Sequence, residues 1–172
     1  MYKSAIPAAI LGAALIFSPA ARSQTGDVKR VAAPGSIMSS AVWVGDTVYL
    51  SGTMAPAEYG ADKQKGTPAG YYSDTKAQSI GAIKAIQKQL QQLGLDLGDV
   101  VQMQAFVSGD PAKGGRMDLE GWNEAYKQFF GTPEQPNKPV RATVQVAGLV
   151  LPTGRIEIMV VAARHSQASQ VK

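Results

Sequence analysis

In SDTKAQSIGAIKAIQKQLQQLGLDLGDV, from Ser73 to Val100, the residues Ala77, Ile80, Ile83, Ile86 and Leu90 recur at three- and four-residue spacing, which is one apolar face of a helix. Ser73 or Asp74 can cap its start, and Gly94 can end it in the left-handed conformation. A helix with one apolar face must lie against another layer, and the flanking sequence is strand-like. Before it, AVWVGDTVYLSGTM places two apolar runs around Gly45-Asp46, the pattern of a β-hairpin with a tight turn. After it, VVQMQAFVSG alternates like a strand, and MDLEGWNEAYKQFFG returns to helical spacing through Leu119, Trp122, Tyr126 and Phe130. Residues 138–164 hold two more strand-like runs. The order β β α β α β β describes an α+β domain with two helices on one face of a single sheet, the other face being left for something else to cover. The chain has no internal repeat, so a homo-oligomer is the simplest cover.

The 172 residues suit one domain with a sizeable core. Residues 1–23 carry Lys3 near the start and continue as a long apolar run. Ala21 and Ser23 stand three and one residues before a cleavage point, the pattern of a secretory signal peptide. Pro7 and Pro19 interrupt that run, and its apolar part is shorter than the roughly 20 residues of a membrane span. The expectation is an exported protein, periplasmic or secreted, free of the membrane once cleaved. Residues 24–33 read as a flexible lead-in, 34–165 as the domain and 166–172 as a polar tail. Loss of Lys3 and Arg22 lowers the formal net charge from +4 to +2, and the remaining cations are scattered, so no nucleic-acid partner is expected. With no cysteine, disulfides and thiolate chemistry are excluded. The single histidine, His165, stands where the domain meets the polar tail, and with only one histidine a two-histidine ribonuclease is excluded. Trp43, Trp122 and the methionines read as packing residues, and GDPAKGGRMD as a surface turn rather than a phosphate loop. The Gly- and Pro-rich loop 56–72 is long enough to suggest a functional role.

Two charges interrupt the last two strands. In VRATVQV, Arg141, Thr143 and Gln145 share one face, and in the final strand Glu157 opposes Ile156 and Ile158. Each charge lies on its strand's more polar face. One reading is a cross-strand ion pair on a solvated surface. A hairpin around Pro152-Thr153 would instead set Glu157 opposite about Leu149, some seven residues or about 23 Å along the strand from Arg141. If the charges meet, another strand pairing or another chain brings them together.

The segments SGTM, AQ, LGLDLGDVVQMQAFV, WNEAYKQFF, PVRATVQVAGL and RIEIMVVA resemble, in order and spacing, the Rid family of reactive intermediate deaminases, also called RidA or YjgF proteins and also labelled endoribonuclease L-PSP. The resemblance implies a chorismate-mutase-like fold with one mixed sheet, assembled as a homotrimer with ligand pockets between subunits. It implies hydrolysis of enamine and imine intermediates, of the 2-aminoacrylate and 2-iminopropanoate type, to a 2-keto acid and ammonia, without metal or organic cofactor. By motif, Arg141 corresponds to the arginine that grips the substrate carboxylate and Glu157 to the glutamate that orients or activates water. Asn123 corresponds to a pocket asparagine, and Ser51 and Gly52 to a Ser-Gly whose backbone faces the ligand. The chemistry asks for such groups: a guanidinium forks onto a carboxylate, and an imine carbon needs water held by an acceptor.

Two positions depart from the family pattern. Met38 stands where the deaminases usually carry a pocket tyrosine, and Thr143 where many carry cysteine, although Thr143 can still offer its backbone to a ligand. Three functions remain open at this level: an imine deaminase, a non-catalytic trimer that binds small 2-imino, 2-enamino or 2-keto carboxylates, and, less favoured, an endoribonuclease.

Overall fold

A computed structural model describes residues 27–57, 73–151 and 153–164. The expected signal peptide 1–23, most of the 56–72 loop, His165 and the expected tail 166–172 lie outside the described residues. The elements are β1 (Val28–Val31), β2 (Ala41–Val44), β3 (Thr47–Leu50), α1 (Thr75–Gln92), β4 (Val100–Ser108), α2 (Leu119–Tyr126), β5 (Val140–Val146) and β6 (Ile156–Ala163). They form one six-stranded sheet in the order β1-β2-β3-β6-β4-β5. The β4–β5 pair is parallel and the other neighbours are antiparallel, so the sheet is mixed.

The hairpin forms as read, with Val44 opposite Thr47 and only Gly45, at φ 59°, taking a positive φ in the turn. Part of the expected lead-in is a strand: β1 pairs with β2, from Val28 opposite Val44 to Val31 opposite Ala41. Its sequence VKRV is short and largely exposed, which left little apolar signal.

In α1 the cap is Asp74, whose Oδ1 accepts from the Ala77 N–H at 2.8 Å. The helix ends through Gly94 at φ 75°. The Leu95 N–H donates to the Leu90 carbonyl and the Gly94 N–H to that of Gln91, and Leu95 packs beside buried Leu90. The buried stripe runs through Ala82, Ile83, Ile86 and Leu90, but its first turn differs from the expected face. Ala77 is exposed and Ile80 half-buried, while Thr75, Gln78 and Ser79 are buried. Helix α2 stops at Tyr126, and Phe130 reaches the core from the following turn, whereas Leu119 is exposed.

Both β3-α1-β4 and β4-α2-β5 join parallel strands and advance in the same direction across the sheet, so right-handed crossovers place both helices on one face. Between the layers lie Val48, Leu50, Met103, Ala105, Ile156, Ile158, Ile83, Ile86 and Trp122, each essentially buried. Trp43 and Trp122 pack in this core, and so does Met103, whereas Met38 and Met159 are exposed. The other face carries exposed Tyr49, Val144 and Met159, and no further layer covers it among the described residues. Strands β5 and β6 do not form the hairpin expected around Pro152-Thr153, because β4 lies between them.

Candidate functional site

Strand β5 is an edge strand, and its alternation aims Arg141, Thr143 and Gln145 at the helix side. Arg141 is in register with buried Met103, Thr143 with buried Ala105 and Gln145 with buried Val107. Helix α2 meets this row with one turn of side chains. The Trp122 indole donates to Thr143 Oγ1 at 3.0 Å, and Asn123 Oδ1 accepts from Arg141 Nη2 at 2.8 Å. The Arg141 guanidinium stacks 4.5 Å from the Tyr126 ring centroid and 5.3 Å from that of Trp122. Tyr126 is itself stacked on Phe130 at 4.8 Å. Burial pushes the Tyr126 phenol above its ordinary pKa, and the positive charge of Arg141 partly opposes that shift. Arg141 is thus held on one side by rings and an amide while its remaining donors face solvent, the posture of an anion grip. Asn123 acts first on Arg141, and the Thr143 hydroxyl is engaged by Trp122.

Glu157 occupies a different corner. It is half-buried and in register with Phe106 on the sheet face away from the helices. Beyond β3 the chain continues beside β6, with Thr53 and Ile158 exchanging backbone hydrogen bonds of 2.9 and 3.0 Å. This lays Gly52 against Glu157 so closely that a methyl group on Gly52 would stand 2.8 Å from the Glu157 carboxyl carbon. Ser51 anchors the same corner: its N–H donates to the Ser40 carbonyl and its hydroxyl to that of Ser39, at 2.7 Å for the hydroxyl. Met38, the residue before Ser39, is 59% exposed, and its carbonyl accepts from Ser36 Oγ. Among the described residues nothing donates to the Glu157 carboxylate.

The sequence-derived candidates therefore form two clusters: Arg141, Asn123 and Thr143 in one, Ser51, Gly52 and Glu157 in the other. Within the chain the two charges do not form an ion pair. Arg141 faces the helix layer, Glu157 faces the opposite side, and β4 separates their strands. The register offset from Met103 to Phe106, with two strand spacings, puts their backbones about 14 Å apart. A shallow concavity of about 210 Å³ on the open face is lined by Tyr49, Gln102, Gln104, Met159 and Val161. The wider groove of about 530 Å³ beside Gln87, Phe129 and Gln135 touches none of the candidates. Sequence reasoning passed over Tyr126 and Trp122 as partners of Arg141. Their spacing around Asn123, one turn of α2, was the available signal.

Among the described residues no group of three or more His, Cys, Asp or Glu side chains could hold a metal ion, and no helix is long and apolar enough to cross a membrane. No curated protein sequence matches the chain. Solved structures do. A member of the YjgF/YER057c/UK114 family from Mycobacterium tuberculosis, Rv2704, is 26% identical over 80% of this chain and 100% of its own, with a TM-score of 0.57. The YjgF gene product of E. coli is 26% identical over 79% of this chain and 94% of its own, at 0.58. TdcF of E. coli, solved with bound serine, is 25% identical over 83% of this chain and 99% of its own, at 0.58. The family model described as endoribonuclease L-PSP matches residues 29–164. With that match spanning the sheet, both helices and both candidate clusters, the chain belongs to the endoribonuclease L-PSP family, the group of the RidA and YjgF proteins.

Proposed function

We propose that the protein is a hydrolytic deaminase of reactive enamine and imine intermediates of the 2-aminoacrylate and 2-iminopropanoate type. It acts outside the cytoplasm as a homotrimer whose pockets lie between subunits. The observation that carries this reading is the split site: a guanidinium at Arg141 suited to an anion and a carboxylate at Glu157 with no donor among the described residues are turned to opposite sides of one sheet. Each cluster is half of a pocket, and a second copy supplies the other half while covering the exposed apolar face around Tyr49 and Met159. The serine bound to TdcF is a small ligand bearing an α-carboxylate, the group a stacked guanidinium suits.

The enamine first takes a proton from solvent at its methylene carbon and becomes the protonated imine. Arg141 holds the carboxylate in a two-pronged contact. A water held by Glu157 adds through oxygen to the imine carbon, the C=N π pair moves to nitrogen, and the carboxylate accepts the water proton. Glu157 returns that proton to the carbinolamine nitrogen and then accepts the hydroxyl proton as the C=O forms and the C–N bond breaks, so that ammonia leaves, the 2-keto acid remains and Glu157 releases its proton to solvent. Among the described residues this sequence needs only a carboxylate grip and one acceptor.

Met38 favours a second reading. A thioether offers the Glu157 corner no hydroxyl, so a trimer that binds small carboxylates without turning them over fits this position. The deciding experiment generates imino acids with an amino-acid oxidase and follows ammonia release by the mature protein and by Glu157→Gln. Release by wild type, with at least tenfold slower release by Glu157→Gln, supports the deaminase. Tight keto-acid binding without release establishes the binder.

A further inference from the structure

Gln78, the second residue of the AQ pair that opens α1, takes part in neither cluster, yet it is only 1% exposed on a helix face that would ordinarily carry an aliphatic residue. Its carboxamide is fully engaged. Nε2 donates to the Ser73 carbonyl at 2.8 Å and to the Thr153 carbonyl at 3.3 Å, and Oε1 accepts from the Arg155 N–H at 2.8 Å. The partners dictate which end is which, because two carbonyls face the nitrogen and an N–H faces the oxygen. Ser108 grips the same segment from β4, its hydroxyl donating to the Gly154 carbonyl at 2.6 Å and its N–H to the Arg155 carbonyl at 3.0 Å. The Gly154 N–H closes on Leu151 at 2.9 Å. Every backbone polar group from the Thr153 carbonyl to the Arg155 carbonyl is therefore tied, and Glu157 follows two residues later.

We propose that Gln78 is a positioning residue for Glu157. With no hydrogen bond of its own among the described residues, the Glu157 carboxylate is placed only by the backbone that carries it and by its contact with Gly52. That backbone is the second residue of β6, and strand ends fray unless the chain entering them is held. Gln78 supplies the hold. It fixes the direction in which the chain enters β6, and with it the side of Gly52 on which the carboxylate rests. The kinetic consequence rests on the deaminase reading, whereas the structural one does not.

The test uses the full mature chain with Gln78→Met, which keeps shape and loses all three bonds, and Ser108→Ala, which removes only the hydroxyl bond and remains informative if the first variant folds poorly. Leu90→Ala, at the far end of α1 and equally buried, controls for lost stability. Turnover is measured well below each melting temperature, together with the 13C resonance of the Glu157 carboxyl and hydrogen exchange of the Ile158 N–H. Gln78→Met is expected to lose roughly tenfold or more in kcat with KM within about twofold, and Ser108→Ala roughly threefold. In both variants the Glu157 resonance moves and Ile158 exchange accelerates, while Leu90→Ala keeps its kcat and its Glu157 resonance. An unchanged Glu157 resonance and unchanged Ile158 exchange in both variants would overturn the proposal, whether or not the wild type turns over imino acids. So would a loss of kcat in Leu90→Ala equal to that in Gln78→Met. A wild type without deaminase activity sinks the functional reading alone, and the two NMR measurements then decide on Gln78.

Discussion

Replacing Gly52 with alanine separates activity from stability at the Glu157 corner. The added methyl would overlap Glu157 Oε1 and lie 2.8 Å from its Cδ and 3.1 Å from its Cγ, whereas carbon atoms rest at about 3.5–4.0 Å, so the carboxylate must retreat by at least about 1 Å. The backbone itself accepts alanine, since Gly52 is not among the glycines with positive φ. Glu157 is half-buried at the end of a flexible side chain and can swing away at little cost. Global stability should therefore change by less than about 1 kcal/mol, and the smaller freedom of the unfolded chain acts in the stabilising direction. Activity should respond very differently, because a misplacement of about 1 Å at a reacting group can cost roughly a hundredfold. The assay compares kcat for oxidase-generated imino acids with the thermal midpoint, in wild type, Gly52→Ala, Glu157→Gln and the double variant. Since both single changes act on one carboxylate, the double variant should be scarcely slower than the worse single one. A folded Gly52→Ala with wild-type kcat would show that the position of Glu157 does not govern turnover.

Three other outcomes follow from the same geometry. Arg141→Lys keeps the charge but loses the two-pronged grip and its fixed seat on Tyr126 and Asn123; a charge-assisted contact worth about 1.5–3 kcal/mol implies kcat/KM lower by roughly tenfold to a hundredfold. Equal kcat/KM in the two proteins would remove Arg141 from the carboxylate. Tyr126 should titrate above its ordinary value because it is partly buried, and still higher in Arg141→Gln, where the opposing positive charge is gone. A phenol whose folded pKa is raised holds its proton longer folded than unfolded, so its contribution to stability is intact below the unfolded value and drains away as pH rises through the folded one. Ultraviolet titration of the phenolate reads the shift, and identical curves for both proteins would place Arg141 away from that ring. Light scattering of the mature chain at micromolar concentration should give the mass of a trimer, and a stable monomer would refute an interface pocket.

What could be read in the sequence was what depends on neighbours along the chain. Helix α1 was legible because Ile83, Ile86 and Leu90 repeat a period and Gly94 ends it. The hairpin was legible because Gly45-Asp46 parts two apolar runs. Strand β1 was not, because VKRV offers too short an apolar pattern to compete with a loop reading. The burial of Thr75, Gln78 and Ser79 was hidden for a different reason. In a helix such residues read as solvent-facing, and Gln78 can be buried because a carbonyl and an N–H more than 70 residues away engage its amide.

The relation between Arg141 and Glu157 lies beyond local pattern altogether. Alternation tells which residues of a strand share a face, and both charges were correctly placed on the polar face of their own strands. It does not tell which side of the sheet that face becomes. That is settled by register, here through β4: Arg141 stands beside Met103 and Glu157 beside Phe106, residues of opposite parity. A guanidinium at position 142 would have faced the same side as Glu157. At position 141 it faces the rings of α2, which hold it ready for an anion but leave it unable to reach its own Glu157. The two-residue period of the strand thus keeps the two charges apart within one chain, and under the proposed deaminase reading the same parity would give each copy one half-site on either side of its sheet.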